Sequence, residues 1–306
     1  MDFRASIYVM IFGLVGISAA AQNGVERFLK PADSLSVGRR NAVIIGEAVV
    51  AVGTYAALNQ LWYADYDKSD FHFINDNAEW MQVDKAGHAF STYHLSSQSA
   101  NLFQWSGMDK RKSAIYGAAT GFVFVSAIEI FDGFSQEWGA STGDLAANAG
   151  GTLLFIGQEL LWKEQRIVPK FSFHKTQYAS VRPEVLGSTF TEQIVKDYNG
   201  QTYWLSANAR SFFKEANFIP RWFNVAVGYG ATGMVTGENR PVNLVFLPEK
   251  KQVREFYFSI DADLTKIRTK SHLLKTIFSV VNTVKIPAPT LEFNGSGKVK
   301  FHPLYF

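Results

Sequence analysis

Glu255-Phe256-Tyr257-Phe258-Ser259-Ile260-Asp261-Ala262-Asp263-Leu264 alternates without a break. Phe256, Phe258, Ile260, Ala262 and Leu264 share one face; Glu255, Tyr257, Ser259, Asp261 and Asp263 share the other. Side chains of a strand repeat every two residues, so this is a strand signal. Thr290 to Phe301 reads the same way, with Leu291, Phe293, Val299 and Phe301 opposing Glu292, Asn294, Ser296, Lys298 and Lys300. Trp222 to Ala231, Thr202 to Arg210 and Lys170 to Tyr178 alternate less strictly, and an amphipathic helix is expected near Ser271 to Val281. Residues 164–306 therefore read as an antiparallel β domain of five or six strands. Either its apolar face packs on protein, or that face meets outer-membrane lipid and the polar face lines a barrel. Five or six strands fall short of the roughly eight a single-chain barrel needs. A sheet packed against helices is the preferred expectation.

Upstream the period changes. Four helices are expected at about Ala42 to Tyr63, Lys85 to Phe103, Lys112 to Phe134 and Thr142 to Trp162. The last starts at a Ser141-Thr142-Gly143-Asp144 cap signal. The first is almost wholly apolar, with Glu47 its only charge, and its small residues (Gly46, Ala48, Gly53, Ala56) suit close helix contact. The fold class is thus α+β: a membrane-like helical domain over 38–163, then the β domain. Arg4, an apolar run from Ile7 to Ile17, and Ala19 to Ala21 read as a signal peptide over 1–21, with cleavage before Gln22. Residues 22–37, polar and holding Pro31, read as a flexible lead-in.

Composition sets the limits. Of 306 residues, 47% are apolar and 19% charged, which suits a large core or a lipid-facing surface. The net charge is only +3, without a long basic run, so nucleic acid is not an expected partner. The chain has no cysteine, which excludes disulfides, thiolate metal sites, thiol catalysis and lipidation of an N-terminal cysteine. Ser135 and Ser141 lack a nucleophile elbow, and Gly228, Gly230 and Gly233 precede no phosphate-binding helix pattern. His72 is expected in a loop and His94 on a helix surface, with His174 and His302 near strands and outside any cluster. Lys110-Arg111-Lys112 reads as a solvated loop or a membrane-surface anchor.

Three polar clusters interrupt the apolar helices. Asp84-Lys85-x-x-His88 opens the second helix. Glu129-x-x-Asp132, with Gln136 beyond, lies along one stripe near the end of the third. Ser141-x-x-Asp144-x-x-x-Asn148-x-x-Gly151 opens the fourth, with Asp144, Asn148 and Gly151 on one face. If they converge, Asp84, Lys85, His88, Glu129, Asp132, Ser141, Asp144 and Asn148 form a buried polar centre. Charges there must be paired or must hold a metal, because desolvating them alone is costly. Three uses are open: a hydrogen-bonded network fixing helix register, a ligand or lipid-headgroup site, and acid–base catalysis with His88. A divalent metal on His88, Glu129, Asp132 and Asp144 is the one cofactor weighed, and none is expected to be required.

These clusters, over roughly Ala42 to Trp162, resemble the YfiM-like family of predicted periplasmic proteins. More distantly they are similar to the VanZ-like membrane family, whose members carry an Asp-Lys-x-x-His, a Glu and a late Asp-x-x-x-Asn-x-x-Gly. VanZ-like proteins commonly add a Gln after the Glu and an Arg before the late motif. Here Asp132 and Gly139 to Ser141 occupy those regions. Tyr198 to Ser206 and Gly228-Tyr229-Gly230 look like an extended YfiM-like form from Bacteroidetes-type bacteria. The resemblance implies an envelope location and a helical motif domain, and brings no reaction.

The leading expectation is a non-enzymatic, outer-membrane-associated envelope protein, exported, that binds or organises lipid or another envelope component. Membrane lipid and other envelope proteins are the expected partners. The alternatives are a hydrolase of lipid phosphate or lipid-linked glycan, using Glu129 or Asp144 with His88, and a purely structural membrane protein.

Overall fold

The computed structural model describes residues 19–63, 66–237 and 252–306. The signal-peptide reading falls almost wholly outside them. Part of the segment read as a flexible lead-in is helical, in α1 (Ala19–Leu29). Ser36 then caps α2 (Val37–Leu58), its hydroxyl accepting from Arg39 N, so the first long helix starts earlier than expected. A π-helical turn, Asn59–Tyr63, ends it. A two-residue strand β1 (Phe73–Ile74) and the turn Glu79–Gln82 lead into α3 (Val83–Trp105). Next come α4 (Lys110–Gly133), β2 (Ala140–Ser141) and α5 (Thr142–Trp162).

Helices α3, α4 and α5 form the packed unit. On α4, Ser113, Gly117, Gly121, Val125, Glu129 and Gly133 are all buried and each lies four residues from the next. Such a stripe forms one face, which meets α3 at Gly117 and Gly121, Ser141 at Glu129 and Phe71 at Gly133. A Cβ on Gly121 would sit 2.3 Å from Ser96 Oγ, and one on Gly151 of α5 2.1 Å from the Ala89 carbonyl oxygen. These two glycines let α4 and α5 approach α3 closely, and they are set on the same faces as Glu129 and Asp144. The small residues of α2 make no such contact, since nothing lies within 4 Å of a Cβ at Gly46 or Gly53. Most of α2 is exposed, including Ile45, Val49 and Val52. Both α2 and α4 are long and apolar enough to cross a membrane. The basic run Lys110-Arg111-Lys112 is not a loop but the first turn of α4, behind an Asp109 cap, and Lys110 Nζ lies 2.6 Å from Glu159 Oε1.

The β domain holds β3 (Ile167–Phe173), the short helices α6 (Pro183–Leu186) and α7 (Phe190–Lys196), then β4 (Gln201–Asn208), α8 (Ala209–Phe212) and β5 (Phe223–Thr232). It continues with β6 (Val253–Ala262), α9 (His272–Val281), β7 (Ala288–Asn294) and β8 (Val299–Tyr305). The six long strands make one antiparallel sheet in chain order from β3 to β8. The last expected strand is in fact a hairpin. Asn294 accepts from Ser296 N and Lys298 N, and Gly297 turns with φ +80°. Among the described residues β3 and β8 do not pair. Each carries a proline, Pro169 and Pro303, a residue confined to sheet edges and bulges because it cannot donate to the ladder.

The polarity of this sheet is inverted relative to a sheet resting on a hydrophobic core. On β6, Phe256, Phe258 and Ile260 are 51, 48 and 46% exposed, whereas Tyr257, Ser259 and Asp261 are 4, 2 and 5% exposed. Leu205, Val227, Phe293, Val299 and Phe301 are exposed as well. The sheet therefore turns its apolar face outward and its polar face inward, as membrane strands do, yet among the described residues its two edge strands do not pair with each other, and β3 is bridged only at Phe171 by the segment 283–285. Inside, the rings of Trp204, Tyr257 and Tyr305 pack with centroids 4.8–5.9 Å apart. Beside them Lys170 Nζ lies 2.8 Å from Asp261 Oδ2, and Lys285 Nζ lies 3.8 Å from Asp261 Oδ1, with all three side chains fully buried. The expected packing on the helices is made by α5, where Phe155 clusters with Val168 and Gln158 Nε2 donates to the Ile167 carbonyl, and by α3. There Phe90 meets Phe171 and Tyr203, and His94 Nε2 donates to the Pro169 carbonyl at 2.7 Å. His94 is thus an interdomain contact, not a free surface residue. Burial outweighs that hydrogen bond and pushes its imidazole down to about 4.

Candidate functional site

The three clusters meet where the first turns of α3 and α5 face the last turn of α4. Parallel pairing of β1 with β2 aligns Ile74 with Ser141, which brings the following loop over the start of α5. Ser141 then serves both sides: its hydroxyl donates to Asp76 Oδ1 at 2.5 Å and accepts from Asp144 N at 3.1 Å. Its own N–H donates to Glu129 Oε2 at 2.9 Å.

Two sub-centres result. In the first, Lys85 Nζ lies 3.0, 3.3 and 3.1 Å from oxygens of Asp76, Asp84 and Asp144. Burial works against the ammonium, but Asp84, Asp144 and Asp76 outweigh it and hold Lys85 well above the ordinary lysine range. Burial likewise raises Asp84. It raises Asp144 too, against the pull of His88 and Lys85. Asp76 is also desolvated, yet hydrogen bonds from Ser141 and Lys85 bring it below the usual carboxylate range.

In the second, His88 Nδ1 is 3.1 Å from Asn148 Oδ1 and 3.9 Å from Glu129 Oε1, and His88 Nε2 is 3.9 Å from Asp144 Oδ1. Asn148 is held beside Thr92, whose Oγ1 donates to the His88 carbonyl at 2.6 Å and lies 3.1 Å from Asn148 Oδ1, and by its own donation to Ser126 Oγ at 3.3 Å. Asp132 turns aside and accepts from Tyr63 OH at 2.6 Å. The whole centre holds five carboxylates, from Asp76, Asp84, Glu129, Asp132 and Asp144, against one ammonium and one imidazole.

All eight residues singled out in the sequence thus lie around one point. Gln136 does not, because α4 ends at Gly133 and the chain turns away, with Gln136 N donating to the Asp67 carbonyl. Tyr63, Asp76, Thr92 and Ser126 were missed. Asp76 sits in a short Asn75-Asp76-Asn77 loop with no motif, and Thr92 and Ser126 are ordinary small polar helix residues. Their one signal is periodic: Thr92 follows His88 by four residues, and Ser126 precedes Glu129 by three. His302, expected to stand alone, pairs with Glu292 at 2.6 Å on the far side of the fold.

The approach to α3 is strained. Trp80, Met81 and Gln82 all have left-handed φ (46, 52 and 64°), which costs a non-glycine residue roughly 1–2 kcal/mol. The β domain holds this turn in place. Trp80 N donates to the Gly237 carbonyl, Tyr229 OH donates to the Met81 carbonyl, and an Arg254 amino group donates to Gln82 Oε1. Asp84 and Lys85 follow directly, so the sheet fixes the entry to the site.

Residues 71–156 match one family model. Its description is "Predicted periplasmic lipoprotein (DUF2279)". The matched segment contains all three polar clusters and ends short of the β domain, so the DUF2279 match concerns the site and leaves the sheet aside. It describes predicted periplasmic proteins of unknown function and names neither of the families resembled above. The lipoprotein part of the description finds no cysteine in these 306 residues to carry a lipid. No curated protein and no solved structure matches the chain.

Proposed function

We propose that this is an exported, membrane-associated hydrolase of the cell envelope, acting at the head of a lipid-linked substrate, a phosphate ester or a glycan. The observation that carries this reading is Glu129. It is 3% exposed, one of its oxygens is held by Ser141 N, and the other has no hydrogen-bond partner while facing His88 at 3.9 Å. A pure register-fixing network satisfies its buried oxygens, because an unpaired one costs about 1–3 kcal/mol. Leaving one open beside an imidazole and a second carboxylate suits proton transfer. One group takes the proton of an attacking water, and another gives a proton to the leaving oxygen. The exposed apolar faces of α2 and the sheet support lipid as the partner, and the DUF2279 match supports the periplasmic side. The same apolar faces would serve a non-enzymatic lipid organiser, but that role has no need of the open Glu129 oxygen.

The test is turnover by purified chain of a lipid phosphate and of a lipid-linked glycan, presented in mixed micelles. Hydrolysis of one of them is expected, with Glu129→Gln and His88→Gln each lowering kcat by about 100-fold or more at preserved fold. Absence of turnover on both substrates, or a Glu129→Gln protein as active as wild type, would refute it.

A further inference from the structure

We infer that His88, Glu129 and Asp144 bind a divalent first-row transition cation. The inference rests on the same centre as the proposed function, but it stands on coordination geometry and not on turnover. One ligand atom from each of these residues lies within 4.8 Å of the others. A cation about 2.1 Å from each ligand spans contacts of up to about 4.2 Å. The 3.9 Å between His88 Nε2 and Asp144 Oδ1 falls inside that span; Glu129, whose Oε1 is 3.9 Å from Nδ1 of the same ring, has an oxygen within 4.8 Å of the other two ligand atoms and must move closer to complete the set.

Three observations favour this set. First, the imidazole is oriented for it. Asn148 Oδ1 carries no hydrogen, so His88 Nδ1–H is the donor, and the lone pair of the neutral ring is on Nε2, facing Asp144. A ligating histidine characteristically gives its other N–H to a fixed acceptor, and Asn148 is itself held beside Thr92 by its donation to Ser126. Second, Glu129 is 3% exposed with Oε1 unpartnered, so an oxygen lone pair is available inside the site. Third, Glu129 and Asp144 are both buried and both have an oxygen near the His88 ring, and buried carboxylates characteristically are paired or coordinate metals.

A second acidic group, Asp76, Asp84 and Asp144, lies equally close together and is not a cation site, because Lys85 Nζ already occupies the cation position within 3.3 Å of all three. Lys85 Nζ also reaches Asp144 Oδ1 at 3.1 Å, but among the described residues it makes no ion pair with Glu129, so the Glu129 and His88 side of the second group holds no ammonium. One imidazole with two carboxylates suits Zn²⁺ or Mn²⁺, and three protein ligands leave coordination positions for water and substrate. Such an ion also explains how a centre this acidic could receive an anionic phosphate.

The experiment is calorimetric titration of the full chain in detergent, stripped with chelator, using Zn²⁺ and Mn²⁺ alone, together with elemental analysis of the protein as purified. One cation per chain is expected. Asn148→Leu, which only orients His88, should weaken it about 10–100-fold, while Glu129→Gln should weaken it at least as much. Asp132→Asn should leave affinity within about threefold, because that carboxylate points to Tyr63. If Glu129→Gln does not fold, the wild-type melting midpoint serves instead, and it should rise with added cation. No binding below about 1 mM, or Glu129→Gln binding as tightly as wild type, would overturn the site. Binding without any hydrolysis would sink the enzyme reading and leave the metal site. Hydrolysis by a protein that binds neither cation would do the reverse.

Discussion

Asp261→Ala is expected to destabilise the β domain by about 3–5 kcal/mol at pH 7, the usual result of removing one partner from a buried ion pair. Asp261 is the carboxylate between Lys170 and Lys285, and all three side chains are fully buried. Without it two ammonium groups remain inside the sheet with only backbone carbonyls as acceptors, from Ala262 for Lys170 and from Ile260 and Ile286 for Lys285. The pH dependence has a definite sign. Burial pushes Lys285 down to about 8, below its unfolded value near 10.4, so between these two pH values the unfolded chain binds more protons than the folded one. This group's contribution to stability therefore grows as pH rises through that window. In Asp261→Ala the folded Lys285 loses the carboxylate that raises it and titrates lower still, so the deficit relative to wild type should shrink from pH 7 to pH 10. Urea unfolding of both proteins across that range, followed by tryptophan fluorescence, measures it. A deficit under about 1 kcal/mol at pH 7 would mean the pair contributes nothing.

Lys85→Met should destabilise the helical half by about 3 kcal/mol, the low end of the same range because the lysine keeps some contact with solvent. Methionine fills the volume but leaves Asp76, Asp84 and Asp144 facing one another without a cation. The wild-type ammonium is held above its unfolded range, so its stabilisation is complete at neutral pH and is lost only as pH climbs past about 10.4. The variant behaves differently on the acid side. Burial already raises Asp84 and Asp144, and losing Lys85 raises them further. Protonation then relieves the repulsion, and the deficit should narrow between pH 7 and pH 5. Thermal unfolding monitored by circular dichroism checks this; a deficit independent of pH would point to lost packing instead.

The legible parts of the sequence were those where local chemistry and burial agree. Helix α5 was read end to end because Ser141 and Asp144 fix its start and its apolar period runs to Trp162. The three polar clusters stood out because charge is rare on apolar helices. What failed had a tertiary cause. Alternation continues through Asn294 to Lys298, so a strand pattern hid a hairpin turn that Asn294-Gly295 and Gly297 signal. His94 looks like a surface residue until β3 is laid beside α3. Asp76 joins the centre only through the pairing of β1 with β2, two residues each, too short to leave a pattern. Period two separated the faces of β6 correctly, but period alone does not say which face is inside.

That inside-out sheet bears on how the chain can assemble. In water, collapse is driven by hiding hydrocarbon, and here closing the sheet hides lysine, aspartate, serine and asparagine while phenylalanine and valine stay wet. Plain solvent thus offers these strands little incentive to come together in the right order, and their sticky sides and the edge strand β8 invite them to join other copies instead. On the proposed membrane association, the C-terminal half is expected to complete its fold only where a lipid or detergent phase is present to take up that apolar face.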